Sequence, residues 1–199
     1  MKNFVLLLCL LGFSSAQALV EARLTYGVLG SKPDLATIYD GATTIPAVAP
    51  NAGIGFDALF IFPIIGIGAG VRYENLGFNV SSEGLEYKSQ TTRTSLILNY
   101  RLINTLMYLG PIATIGMSHT NSIKWTEGVR ATDFSPDTTS SYSVGLEAGV
   151  ALLGFRIGAE AGYQNMKWTK VKDTTGTISG TPDLDMSGSY VKAVLGFGI

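Results

Sequence analysis

The chemistry available to this chain starts with its single histidine. His119 lies in the polar segment Ser118-His119-Thr120-Asn121-Ser122, and imidazole is the side chain whose ordinary pKa best suits proton transfer near neutral pH. A hydrolase would also need a serine hydroxyl within hydrogen-bond reach of the imidazole. The sequence positions of Ser118 and Ser122 do not show that either hydroxyl comes within that distance. A lone histidine in a polar segment is most simply a loop residue. We therefore predict no catalytic residue and no enzymatic activity.

The sequence lacks the side chains that a metal site or a dinucleotide-binding site needs. One histidine and one cysteine in 199 residues cannot form a histidine–cysteine metal cluster, and the carboxylates are scattered. The glycine-rich residues 66–70 lack the Gly-x-Gly-x-x-Gly spacing and the following helix that dinucleotide binding uses. With 14 basic against 15 acidic residues, there is no basic excess for nucleic acid. We predict no metal, no cofactor and no nucleic-acid partner.

Other ionisable residues are more informative because they alternate with apolar ones. Between residues 51 and 74, one set of alternate positions is apolar, and the other carries glycine together with Asp57, Arg72 and Glu74. A period of two indicates extended strands, and the short proline-containing link at 61–64 predicts an antiparallel hairpin. Glycine weakens strands and rarely lines the polar face of a soluble sheet. This face is therefore expected to border a narrow polar interior.

The same alternation recurs in eight segments and predicts eight strands. One face of each segment is apolar, with Pro111 as the one exception among the assigned positions. The opposite faces carry 14 glycines and ten charges, of which five are acidic (Glu21, Asp57, Glu74, Glu147, Glu160) and five are basic (Arg23, Arg72, Arg101, Arg156, Lys192). Because buried charges must be paired, a balanced set favours an interior closed by salt bridges.

The links between these strands alternate in length. Four long links (31–50, 75–91, 117–140, 165–188) alternate with three short ones (61–64, 103–106, 151–154). Transmembrane β-barrels combine short periplasmic turns with longer extracellular loops. The prediction is an all-β fold, an eight-stranded antiparallel transmembrane barrel with four long extracellular loops. A soluble barrel or sandwich with the apolar face turned inward is the alternative that these link lengths disfavour.

The amino terminus predicts export. A basic start at residues 1–3 precedes an apolar run at 4–13, and Ala16-Gln17-Ala18 supplies a small-residue cleavage site. A membrane-spanning helix needs about 20 apolar residues, so the run is too short to be an anchor. We predict a signal peptide at residues 1–18 and a barrel domain at residues 19–199.

With these features in place, the chain resembles the small outer-membrane barrels of the OmpA/OmpX type. Its last strand, residues 190–199, resembles the alternating assembly signal of that family, with Ile199 where the family usually has phenylalanine. The resemblance implies a monomer in the cell outer membrane, in contact with lipid and lipopolysaccharide. It also implies recognition by the barrel-assembly machinery through the last strand, and an as yet unknown surface ligand is possible in this family.

For function, the resemblance implies a non-enzymatic envelope-structural or surface-contact role exerted through the extracellular loops. The alternative is a narrow channel for small solutes. A third hypothesis is lipid A modification, because lipid A deacylases share this architecture and place a His-x-Ser pair near the outer rim. Here Asn121 follows His119 at the position where that pair requires serine.

Two similar segments, residues 123–126 and 166–169, each contain a tryptophan beside a lysine. They could be receptor-contact patches, but tryptophan is enriched at membrane–water interfaces. We interpret Trp125 and Trp168 as interfacial residues.

Overall fold

The computed structural model describes residues 20–31, 33, 49–62, 65–82, 85–127, 130–174, 180 and 182–198. The predicted signal peptide, most of the predicted first loop at 31–50 and Ile199 lie outside these residues. In the described part of the chain, no helix is long and apolar enough to cross a membrane.

Eight long antiparallel strands form a closed barrel. They are β1 (Val20–Ser31), β2 (Ala49–Phe62), β3 (Ile67–Ser82), β4 (Leu85–Tyr100), β5 (Met107–Glu127), β6 (Arg130–Leu152), β7 (Phe155–Asp173) and β8 (Gly188–Gly198). Each strand pairs with the next, and β8 pairs with β1. Two short segments add to the sheet: Ile103–Asn104 pairs with β5 and Leu184–Asp185 pairs with β7. The predicted all-β, eight-stranded barrel is confirmed.

The register of the sheet determines how steeply the strands lean. A path of paired residues leaves β1 at Glu21, crosses every strand and returns to β1 at Ser31, which is a stagger of ten residues. With about 3.4 Å per residue and about 4.8 Å between strands, this stagger tilts the strands by roughly 40°. A barrel of eight strands at this tilt is just wide enough for side chains to fill.

The lower part of the barrel has an apolar outer surface bounded by aromatic residues. The tyrosines of the upper boundary are Tyr26, Tyr73, Tyr142 and Tyr163, and the lower boundary carries Phe60, Phe62, Tyr100, Phe155 and Phe197. Between them the exposed side chains are aliphatic, for example Leu98 with 56% and Leu146 with 60% of its surface exposed. Such a band between two aromatic girdles is the surface that a transmembrane barrel presents to lipid. The predicted apolar outer face is confirmed.

The turn between β6 and β7 is shorter than the predicted four-residue link 151–154. Leu153 and Gly154 alone separate the two strands, and both have positive φ angles, 51° and 86°. Two consecutive residues with positive φ are the requirement of a type I′ turn, whose twist matches that of an antiparallel hairpin.

The structure corrects three of the predicted long loops. Most of residues 75–91 and 117–140, and residues 165–173 of the fourth link, are strand rather than loop. The hairpins β3–β4 and β5–β6 therefore continue well above the upper tyrosines. The sequence prediction was wrong because these residues are rich in serine and threonine and lack an apolar face of the expected orientation.

The alternation of faces reverses above the upper tyrosines. There the outward residues are polar, such as Lys88 and Lys124, while the inward residues are large and apolar. The inward set forms one cluster: Tyr87, Ile123, Trp125, Phe134, Met166, Trp168, Val171, Leu184 and Met186. The interfacial interpretation of Trp125 and Trp168 is therefore wrong. Both lie inside the barrel, where they are 6% and 0% exposed.

This change of surroundings along one strand can be tested on β4. Leu98 lies midway between the two girdles, and Gln90 is exposed on the same outer face above the tyrosines. Leu98→Arg should destabilise the folded barrel by about 2–4 kcal/mol, because it places a charge at the middle of the lipid layer.

Gln90→Arg serves as the matched control and should change stability by at most about 0.5 kcal/mol, since it faces water. The measurement is the urea midpoint of unfolding of each purified variant. Heat-modifiable gel mobility reports the folded fraction at each urea concentration. Equal midpoints for the two variants would contradict the assignment of the lipid layer.

Candidate functional site

The lumen of the lower barrel contains a set of buried charges. All ten predicted inward charges, five cations and five carboxylates, are buried. Arg93 is buried with them as a sixth cation. None of these eleven side chains belongs to a residue that is more than 4% exposed. They are spread from the lower to the upper aromatic girdle and, together with a small apolar cluster of Leu59, Ile61, Ile97 and Ile112, occupy the part of the lumen that lipid surrounds.

At the centre of this set, Arg72 joins a carboxylate of the neighbouring strand β2 to a carboxylate of the distant strand β7. Its Nε and Nη2 donate to Asp57 at 2.7 and 2.9 Å, and its Nη1 and Nη2 donate to Glu160 at 2.9 and 2.7 Å. Two bidentate pairs on one guanidinium are the strongest arrangement that arginine makes with carboxylates. Every nitrogen of Arg72 is therefore used, and β2, β3 and β7 are tied together across the lumen.

The lower part of the set is built from three arginines and two glutamates. Glu21 accepts from Arg101 at 2.9 Å and from Arg156 at 2.8 Å. Glu147 accepts from Arg23 at 2.6 Å, and Arg101 approaches it at 3.4 Å. Arg23 also lies 3.2 Å from Asp57, so the lower and central groups form one connected network.

Glycine makes room for the aromatic residue at this level. The guanidinium carbons of Arg101 and Arg156 lie 5.1 and 5.7 Å from the centre of the Tyr108 ring. That ring rests on Gly149 and Gly158, where a Cβ would overlap the phenol. The inward glycines of β6 and β7 therefore accommodate a large side chain from the adjacent strand β5.

In the upper part, Glu74 pairs with both Arg93 and Lys192. Lys192 is also 3.9 Å from Glu160, which connects this group to the centre. The sequence interpretation missed Arg93 because the fourth strand was started only at residue 95. The signal was present, since Arg93 continues the alternation of Asn99, Ile97 and Ser95 by two more residues.

The apolar cluster closes the lumen above the charges. Leu29, Leu76 and Tyr190 form a small buried group next to the upper charges, and the large cluster around Trp168 lies above it. Tyr87 belongs to that cluster, and its burial raises the pKa of its phenol to about 12. The upper barrel therefore has a packed apolar core of its own, as a soluble domain does.

His119 lies in β5, not in a loop, and its side chain faces the lumen. Its Nε2 shares a hydrogen bond of 2.8 Å with the hydroxyl of Ser141 on β6. Arg93 donates to the same hydroxyl at 3.4 Å. Gly116 makes this contact possible, because a Cβ there would overlap both Ser141 Oγ and His119 Nε2. The alternation places Ser141 on an inward face, but its pairing with His119 was not predicted, since no spacing in the sequence links positions 22 residues apart.

The contact bridges a break in the ladder between β5 and β6. These strands pair up to Ile115 and Tyr142 and again from Ile123 and Phe134, but residues 116–122 and 135–141 form no ladder pairs with each other. Side chains cross the break instead, as in the 2.8 Å hydrogen bond from Asn121 to Thr139. The break begins just above the tyrosine Tyr142. Its backbone groups can therefore reach headgroups or water, which unpaired groups in hydrocarbon cannot.

Within the described ranges, the chemical capacity of these groups is limited. The imidazole of His119 shares a side-chain hydrogen bond with Ser141, and no carboxylate of the described chain orients it as a catalytic triad would. No three His, Cys, Asp or Glu residues of the described chain are placed to hold a metal ion. The dominant arrangement is a closed network of salt bridges, which stabilises structure.

Comparison with known proteins gives no relative by sequence. No protein-family model and no curated protein matches the chain. Among solved structures, a major outer membrane protein from Thermus thermophilus matches with a TM-score of 0.52 at 11% identity, over 89% of this chain and 99% of that one. The chain has the fold of the small outer-membrane β-barrels.

Two other solved barrels match with lower TM-scores. Neisserial surface protein A gives 0.47 at 13% identity, over 90% of this chain and 97% of that one. Ail, the attachment invasion locus protein of Yersinia pestis, gives 0.49 at 14% identity, over 89% and 98%. Identities this low concern the fold of the barrel alone.

The central ion pairs of the barrel should contribute strongly to its stability. Arg72→Gln leaves Asp57 and Glu160 buried without their shared cation, and the expected loss is about 3–5 kcal/mol of unfolding free energy. The matched control is Lys172→Gln. It removes an exposed pair with Asp137 and should cost about 0–1 kcal/mol. Urea titration of both variants in detergent measures the difference, and equal losses would contradict a structural role for the network.

Proposed function

We propose that this chain is exported to the cell outer membrane and acts there without catalysis, as an envelope-structural or surface-contact protein. The observation that carries the proposal is the division of the barrel into two filled parts. Salt bridges occupy the lumen where lipid surrounds it, and an apolar core occupies the part that projects beyond. The chain therefore offers its surroundings an outer surface rather than an internal path.

The projecting part is suited to surface contact because it is rigid and polar outside. In β5 it runs from Ser118 to Glu127. With about 3.4 Å per residue along a strand that is tilted by roughly 40°, this part rises roughly 25 Å above the upper tyrosines. The outward side chains are polar or charged, among them Asn79, Glu86, Lys88, Gln90, Thr120, Ser122, Lys124 and Asp133. A binding surface held by a packed scaffold loses little conformational freedom when a partner docks.

The proposed partners follow from the proposed location in the outer membrane. The upper tyrosines would meet the headgroups of the outer leaflet, where lipopolysaccharide is the lipid of a bacterial outer membrane. Assembly of the barrel would proceed through its last strand, whose alternation continues to Gly198 with outward Val191, Leu195 and Phe197. A closed sheet without a free edge in the lipid supports a monomer.

The narrow-channel alternative conflicts with the contents of the lumen. A selective pore displays ring charges of one sign along a water-filled path, whereas cations and carboxylates occur together here at every level of the described lumen. Trp168, above them, is completely buried. The lipid A hypothesis is also disfavoured, because His119 and Ser141 face the lumen and not the lipid.

Conductance separates the two non-enzymatic functions. The purified protein in planar bilayers should give no reproducible conductance steps, with a general porin in the same bilayer as the positive control. Stable, ion-selective steps from the protein alone would favour the channel instead.

Cysteine labelling tests location and orientation together. Gln90→Cys should react in intact cells with a maleimide that cannot cross membranes, because Gln90 is exposed on the projecting part. Thr105→Cys, exposed in the turn at the other end of the barrel, should react only after the outer membrane is permeabilised.

The wild type is the control, since its one cysteine is Cys9 in the predicted signal peptide. Labelling of denatured wild-type protein would mean that the peptide is retained. If only Thr105→Cys were labelled in intact cells, the proposed orientation would be the wrong way round.

A further inference from the structure

The two ends of the charged network differ in how completely their arginines are paired. Every guanidinium nitrogen of Arg72 and of Arg93 has a hydrogen-bond acceptor. At the lower end, four terminal nitrogens have none in the described chain: Arg23 Nη2, Arg101 Nη1 and both terminal nitrogens of Arg156. The residues that carry them are only 1%, 3% and 1% exposed. Buried charged donors without acceptors are rare and costly, so they point to a missing partner.

The charge balance identifies the sign of that partner. At the lower end Arg23, Arg101 and Arg156 contact Glu21 and Glu147. Arg23 also lies 3.2 Å from Asp57, which it shares with Arg72 at the centre. Over the described lumen as a whole, six cations face five carboxylates. Water could accept hydrogen bonds from these nitrogens, but only an anion would also balance the charge.

The geometry identifies the shape of the anion. The three guanidinium groups are drawn together because Arg101 shares Glu21 with Arg156 and shares Glu147 with Arg23. Arg101 and Arg156 also lie over the same Tyr108 ring, which contacts their guanidinium groups without accepting a hydrogen bond from their terminal nitrogens. Neither terminal nitrogen of Arg156 has an acceptor in the described ranges, and such a fork fits two oxygens of one group.

We propose that the lower, periplasmic end of the lumen binds one small oxyanion, of the phosphate or carboxylate class, between Arg156, Arg101 and Arg23. The anion completes the salt-bridge network and is a structural ligand of the folded barrel. Its site lies at the level of the lower aromatic girdle, beside Phe155 and Phe197, at the end opposite the projecting part. The proposal is independent of the surface-contact role.

The test is the stability of the purified full-length barrel refolded in different anions. At constant ionic strength, replacing chloride with phosphate should raise the urea midpoint in a saturable manner, since a ligand that binds only the folded state stabilises it by mass action. Acetate in a parallel series distinguishes a carboxylate preference from a phosphate preference. Equal midpoints in chloride, phosphate and acetate would overturn the proposal, because screening alone would then explain any salt effect.

Variants then locate the site. Arg156→Gln should lower the midpoint in chloride and lose the phosphate-dependent rise. Arg156→Lys keeps the charge without the fork, so it should fold and show a reduced rise. The matched control is Arg93→Gln, which removes a fully paired lumen arginine from the other end and should keep the rise of the wild type. A full rise in Arg156→Lys, or its loss in Arg93→Gln as well, would contradict the assigned site.

A direct binding measurement covers the case in which Arg156→Gln does not fold. Equilibrium dialysis of folded wild type with labelled inorganic phosphate should give a stoichiometry near one per chain. Excess unlabelled phosphate should displace the label, and Arg156→Lys should retain less of it. Binding equal to that of empty detergent micelles would overturn the proposal.

Discussion

Lipid offers no hydrogen-bond partner to a peptide group, and the lower half of this barrel is organised by that constraint. Closure of β8 onto β1 pairs the strands all the way round. Eight strands with a stagger of ten residues then leave a lumen that side chains must fill. Because the outer face is committed to lipid, the polar residues have only the interior, where each charge requires a partner. The salt-bridge network centred on Arg72 follows from closure.

The same strands obey the opposite rule once they pass the upper tyrosines. Water now surrounds the barrel, so apolar side chains are the ones that gain by turning inward. On β4 this change lies between Arg93, which is buried among charges, and Tyr87, which is buried among aromatic rings. Ser89 and Thr91 lie between them as a buried polar layer. The bulge opposite Thr94 and Ser95, and the break between β5 and β6, occur close to this change of surroundings.

Much of the lower barrel could be predicted from the sequence because one rule, apolar outside and charged inside, holds along every strand there. Even Pro111, which costs a hydrogen bond within a strand, stands in the predicted outward position of β5. The same rule failed for Trp125 and Trp168, because a reversed alternation gives no apolar outer face and resembles a polar loop. Arg93 was missed for the related reason that its strand was started too late in the chain. The contact between His119 and Ser141 crosses a break in the pairing of β5 and β6, which residue types alone do not encode.

The two tryptophans allow the most direct test of this reversal, because the chain has no others. The measurement is tryptophan fluorescence of the barrel reconstituted in vesicles that contain brominated phospholipids, which quench only residues in contact with lipid chains. With Trp125 and Trp168 inside the upper apolar core, the account predicts blue-shifted emission that brominated lipid does not quench. Strong quenching by the brominated lipid would place the tryptophans in the membrane and contradict the account.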